Sequence, residues 1–167
     1  MAAPGAPPTR LIVCVDGGSS GNGQSSIQRI FAGVKRGPCL DSSSGTTYNQ
    51  VARYVAGIGS VDDAVSKGKL QATVLGHGYL KQVQDVYESC CQLVGDQDEI
   101  FLLGHGRGAW IVRAVAGLLH NLGALGSAGQ PEFHREFKKA LAEAEGRSSQ
   151  YSGLSLSPVS SSHCLVW

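Results

Sequence analysis

The residues with the sharpest chemical spacing are Gly104-His105-Gly106-Arg107-Gly108, set between the apolar run Ile100-Phe101-Leu102-Leu103 and the apolar stretch that opens at Ala109-Trp110. A buried strand running through Gly-x-nucleophile-x-Gly into a helix is an elbow. It holds its central residue on a sharp, strained turn above the sheet. The following amide then stands at a helix N-terminus, where it can bind an oxyanion. Gly104 and Gly108 are expected where strand and helix pack too closely for side chains, and Arg107 supplies the oxyanion-side amide. The central position here is Gly106, which has no side chain to attack with. Glycine relieves ~1–3 kcal/mol of strain at such a turn while removing the nucleophile. The pattern alone is equally compatible with an ordinary glycine-rich strand-to-helix turn. His105 reads first as an orienting or packing residue and second as a base for a water molecule. His77 lies in another loop at the same end of the sheet.

A second constellation closes the first apolar run at Asp16-Gly17-Gly18. Asp16 is either a turn-shaping carboxylate or a site residue, and Gly17 and Gly18 are turn or oxyanion positions. The stretch from Gly18 to Ser25 follows a strand, precedes a helix and has Walker A spacing, but its lysine position is Gln24. Such a loop can hold an anion or phosphate on backbone amides. Without the lysine, and without an acidic strand end downstream, nucleotide hydrolysis is disfavoured. In an elbow enzyme the acid and base follow the nucleophile in sequence. The candidates after Gly106 are Glu132, Glu136, Glu143, His120, His134 and His163. None ends a recognisable strand, and His120 and His134 read as exposed helix residues, so no complete triad is expected. No Cys/His spacing matches a metal site, and no metal or cofactor is expected.

The elements that must position these residues alternate. Leu11 to Val15 is a short β-branched run typical of a buried parallel strand. Ser25 or Ser26 caps a helix whose apolar face is Ile27, Ile30, Phe31 and Val34, and Gly37-Pro38 stops it. Asp41 to Thr47 is a polar loop, Gln50 to Ala56 a second strand, and residues 60–71 are ambiguous. Gly76-His77-Gly78 opens a helix with the stripe Tyr79, Leu80, Val83, Val86, Tyr87, Cys90, Leu93 and Val94. A turn at Gly95-Asp96 leads to the third strand, the elbow and a helix from Ala109 to His120. This order predicts a parallel sheet with right-handed crossovers and helices on both faces, its two edges open. Glu132 to Glu145 is a charged amphipathic helix carrying Phe133, Phe137 and Leu141. Residues 147–167 read as a Ser-rich disordered tail, residues 1–9 as a disordered start, and 10–146 as the domain.

Several of these blocks together resemble one family, the α/β-hydrolases related to type VI secretion phospholipase effectors. Arg10-Leu11-Ile12-Val13-Cys14-Val15-Asp16-Gly17 resembles its opening strand and turn, and Ser26-Ile27-Gln28-Arg29-Ile30 its Ser-Asn-Val-x-Arg-Leu helix start. Gln50-Val51-x-x-Tyr54-x-x-Gly57-x-Gly59 is similar to its second strand, and Gly76-His77-Gly78 leading to Val83 and Tyr87 to its glycine turn. Asp98 to Arg113 and Ala116-Gly117-Leu118-Leu119 resemble its elbow and following helix. The likeness covers about residues 10–123. It implies a three-layer α/β-hydrolase sheet and phospholipase or carboxylester hydrolysis by a Ser-His-Asp triad. Two departures stand out: Gly106 replaces the family's serine, and Asp-Gly-Gly replaces Asp-Gly-Thr. The expectation is therefore a truncated, degenerate member, catalytically impaired, with a lipid or ester as ligand. The alternatives are a residual ester or lipid hydrolase and an anion-binding module on the Gly18–Ser25 loop.

The bulk composition sets the remaining bounds. A net charge of +1 gives no electrostatic case for nucleic acid or for an acidic membrane surface. No apolar run reaches the length of a membrane span or of a signal-peptide core, so a cytoplasmic protein is expected. Cys164-Leu165-Val166-Trp167 has the outline of a prenylation box, but Trp is not a usual last residue and no polybasic stretch precedes it. The odd count of five cysteines fits reduced thiols better than a disulfide framework.

Overall fold

The computed structural model describes residues 6–18, 24–57, 77–93, 97–144, 156–157 and 164–166. In chain order the elements are β1 (Thr9–Val15), α1 (Ser26–Gly33), β2 (Gly37–Leu40), β3 (Thr47–Val55), α2 (His77–Cys91), β4 (Glu99–Gly104), α3 (Arg107–Leu122), β5 (Ala124–Leu125), α4 (Phe133–Ala144), β6 (Leu156–Ser157) and β7 (Cys164–Val166). This is an α/β fold whose main sheet has the order β2-β3-β1-β4-β7.

The β-branched run of β1 takes the central place. It pairs in parallel with β3 on one side and β4 on the other, Val13 lying between Arg53 and Leu102. Leu11, Val13 and Val15 point into the main core with α2, α3 and α4. By strand alternation Cys14 points to the other face, where its neighbour in register, Tyr54, meets Phe31 of α1 at 5.5 Å between ring centroids. Helices thus cover both faces of β1. Ser25 caps α1 reciprocally: its hydroxyl accepts from the Gln28 amide at 3.0 Å, and the Gln28 side chain accepts from the Ser25 amide at 2.9 Å.

The far end of the sheet is held by Arg10. Its guanidinium donates to Glu99 at 2.7 Å and Asp41 at 2.8 Å and stacks 4.1 Å above the Tyr48 ring, joining β1, β3, β4 and the turn after β2.

Three sequence expectations are corrected. The sheet is mixed rather than parallel, because Gly37-Pro38 both ends the approach from α1 and opens β2, which pairs antiparallel with β3. The two edges of the expected three-strand sheet are not open: β3 carries β2, and residues 164–166 form β7, paired in parallel with β4. Residues 156–157 form β6, paired with β5. Leu80, placed in the apolar stripe of α2, is 54% exposed, while Val83, Val86, Tyr87 and Cys90 are buried. Residues 60–71, Val94 and the Gly95-Asp96 turn lie outside the described residues. No helix among the described residues is long and apolar enough to cross a membrane.

Candidate functional site

The chain leaves β1 for β3 on one side of the sheet and returns to β4 on the other. The strand order therefore reverses at β1, and a crevice opens at the carboxyl ends of β1 and β4. It is a cleft of about 440 Å³ lined by Asp16, Gly17, Gly18, His105, Gly106 and Arg107, together with Gln24, Ser25 and Ser26 from the start of α1.

Gly106 is the N-cap of α3, with φ +56° and ψ −121°, a backbone that side chains rarely adopt. His105 carries the strand register one step further, its amide donating to the Val15 carbonyl at 3.3 Å. Its carbonyl accepts from the Gly108 amide at 3.0 Å and so starts α3. The surrounding glycines are fixed by contact. A Cβ on Gly17 would stand 2.4 Å from the His105 carbonyl oxygen, and one on Gly104 2.6 Å from that of Gly108. A Cβ on Gly108 would stand 2.2 Å from the Val15 carbonyl oxygen. Gly106 differs: a Cβ there would meet only the Gly17 Cα, at 3.7 Å. The Arg107 guanidinium donates through Nε to the Gly17 carbonyl at 2.8 Å, tying the elbow to the β1 turn. Because α3 begins at Arg107, the positive end of its dipole lies at the cleft.

Asp16 forms the cleft floor and is buried. Its carboxylate accepts from the Ser25 hydroxyl, from the Tyr54 hydroxyl at 2.9 Å and from the Gly17 amide at 2.7 Å. Burial opposes its ionisation, but these hydrogen bonds and the nearby His105 outweigh burial and hold the carboxyl below its ordinary value. Burial and the bond to this carboxylate push the Tyr54 hydroxyl upward. The folded carboxyl therefore titrates below the value of about 3.9 expected unfolded. Its stabilisation is complete above that value and fades as pH falls through the folded one. Asp16→Asn is expected to cost about 1–3 kcal/mol at neutral pH, since one hydroxyl donor loses its acceptor. In urea unfolding followed from neutral to acid pH, the variant's stability is expected to fall less steeply than wild type below pH about 4. Parallel acid limbs would mean that Asp16 is not held ionised by the fold.

Of the residues singled out by sequence, the structure thus brings Asp16, Gly17, Gly18, His105, Gly106 and Arg107 to one cleft, with Gly104 and Gly108 packed behind the elbow. The acid and base candidates among the described residues stand elsewhere. His134 contacts Gln84 of α2 at 2.9 Å, Glu136 lies in the first turn of α4, and His120 in the last turn of α3, at the end opposite the elbow. His163, the side chains of His77 and Glu143, and residues 19–23 of the glycine loop lie outside the described residues. The described part of that loop spends the Ser25 side chain on Asp16 and on capping. Sequence reading missed that Ser25 and Tyr54 are the partners of Asp16. It also missed that Gly57 packs on the β1 turn, where a Cβ would stand 2.0 Å from the Gly18 amide nitrogen. The one signal was that Tyr54 and Gly57 share a block with the second strand. Burial pushes the Cys14 thiol up and the Cys91 thiol to about 11, away from the thiolate form. Among the described residues no group of three or more His, Cys, Asp or Glu side chains could hold a metal ion.

No curated protein and no solved structure matches the chain. Residues 9–156 match the family described as T6SS, phospholipase effector Tle1-like, catalytic domain. That match takes in the first strand, the cleft floor, the elbow and its helix, and runs past residue 123 through α4. The chain belongs to the Tle1-like phospholipase effector catalytic-domain family.

Proposed function

We propose that this phospholipase-type domain is an α/β-hydrolase scaffold, helices layered on both faces of its sheet, that has lost its nucleophile and binds a lipid or ester ligand without turning it over. The observation that carries the reading is Gly106. It occupies the cap between β4 and α3 in the strained conformation of an elbow nucleophile, at the cleft and with room for a Cβ in ordinary contact, yet it has no side chain. The frame around it is intact in this reading. Gly17 and the first turn of α3 form the oxyanion side, His105 flanks the nucleophile position, and Asp16 braces the floor through Ser25 and Tyr54. Without a nucleophile no acyl-enzyme can form, so a ligand is held and the covalent route to its cleavage is closed.

The test is hydrolysis of a short-chain nitrophenyl ester and of a phospholipid by the monomeric protein, wild type beside Gly106→Ser. Wild type is expected to be inert with both, and to resist labelling by a fluorophosphonate. Turnover or labelling by wild type would overturn the proposal. Activity gained by the serine variant would show that a working base and oxyanion site remain around position 106.

A further inference from the structure

The end of the molecule that carries the cleft has an unusual surface. Three helices begin there. α1 is held by its Ser25 cap to Asp16, and α2 by Gln82, which donates to the Ala56 carbonyl beyond β3 at 2.8 Å; α3 starts at the elbow. Helix stability alone favours carboxylates in such first turns. The first two turns of these three helices contain none and carry Arg29, Lys81, Arg107 and Arg113 instead. Lys81 pairs with Asp85 one turn on at 3.2 Å, Arg107 donates to the Gly17 carbonyl, and Arg29 and Arg113 are exposed. Among the described residues that line the cleft the one acid, Asp16, is buried and hydrogen-bonded. Among the described residues, large apolar side chains also stand out into solvent in these turns, Trp110 at 75% exposure, Leu80 at 54% and Ile30 at 45%. Trp110 is one turn from Gly106, and Arg113 follows it at the three-residue spacing that puts both on one face of α3. The opposite face of that helix is buried through Ile111, Val112, Val115, Leu118 and Leu119.

We propose that this end docks on an anionic lipid surface, with Trp110 and Leu80 entering the headgroup region and Arg29 and Arg113 facing the lipid phosphates. The chemistry commits to a bilayer. An indole beside exposed cations fits the boundary between headgroups and acyl chains, apolar on one side and wet and negative on the other. A polyanion such as nucleic acid would take up the cations and leave Trp110 and Leu80 in water. The docking brings the cleft mouth to the membrane, and rests on the lipid-directed reading of the cleft given above.

The experiment uses the full chain, with Trp167→Phe to leave Trp110 as the single tryptophan. Co-flotation is measured with vesicles of equal parts phosphatidylglycerol and phosphatidylcholine, and with vesicles of phosphatidylcholine alone. The chain is expected to float with the anionic vesicles, with a blue shift of Trp110 emission and release at high salt. Trp110→Ser is expected to weaken binding about tenfold through loss of the interfacial indole. Arg113→Glu is expected to weaken it by about tenfold or more, from the reversed charge at the surface. Both positions are exposed, and circular dichroism would check that the fold is kept. Equal flotation with both vesicles, unshifted emission, or unchanged binding by Trp110→Ser would overturn the proposal. So would equal binding to a soluble polyanion without an emission shift. None of these readouts involves turnover. Hydrolysis by wild type would remove the inert-scaffold reading and leave docking standing, whereas failed docking by an inert wild type would remove docking alone.

Discussion

Gly108→Ala is expected to leave little folded protein, while alanine at Gly106 leaves the fold intact. Both positions belong to the same five-residue elbow, so local propensity does not separate them; contact does. At 108 the new methyl would stand 2.2 Å from the carbonyl oxygen of Val15, 2.7 Å from its carbonyl carbon and 2.9 Å from the Asp16 carbonyl oxygen. Those atoms are the backbone of the last residue of the central strand, paired on both sides, and of the turn that follows it, and no rotamer change relieves the clash. Relief requires moving α3 away from β1, which opens the main core, and the expected cost exceeds about 4 kcal/mol, a large part of a domain's stability. At 106 the nearest atom to the new methyl is 3.7 Å away, an ordinary contact, and the cost is the left-handed backbone, about 1–3 kcal/mol. Soluble yield and urea unfolding of the two variants measure the difference. Comparable losses at both positions would sink the steric account. The contrast matters for function, because it separates glycines demanded by packing from one that space does not demand. Position 106 can carry a side chain, and this chain has none there.

The same distinction explains what the sequence could disclose. The strands β1 and β4 are short apolar runs ended by turn residues, and a buried strand needs little else to be recognised. The elbow is legible because its glycines fall at fixed offsets between such a strand and a helix. β2 is not, since Gly37-Pro38 reads as a helix stop and an edge strand with Leu40 facing solvent needs no apolar pattern. β7 is three residues after a serine-rich stretch, and its pairing depends on the edge that β4 offers rather than on any local signal. The floor of the cleft was half visible. Asp16 could be singled out, but the bond from Tyr54 links positions 38 apart and follows from the register of β1 and β3. Leu80 and Trp110 were unreadable for a different reason. Apolar periodicity does not tell a buried side chain from one left in solvent, and only the packing of α2 and α3 shows which face is spare.

Phe133→Ala is expected to destabilise the protein by about 3–5 kcal/mol, the range for removing a buried aromatic ring, whereas Lys138→Ala on the exposed side of α4 changes stability by no more than about 0.5 kcal/mol. Phe133 and Phe137 are buried and close a cluster with Tyr87, whose centroids lie 6.2 Å and 5.7 Å from theirs. Tyr87 in turn donates to the Gly123 carbonyl at 2.7 Å, at the end of α3. The aromatic cluster therefore fastens α4 and α2 to the C-terminal end of the helix whose other end is the elbow. Loss of Phe133 leaves a cavity that its neighbours fill only in part, and thermal unfolding is expected about 6–20 °C lower, at about 2–4 °C per kcal/mol for a chain of this size. Calorimetry of the two variants decides the matter. If Phe133→Ala costs no more than Lys138→Ala, α4 is attached to the domain without belonging to its core, and α2 alone braces the elbow helix. A cost in the expected range makes α4 part of the unit that positions the cleft, consistent with a family match that continues through it.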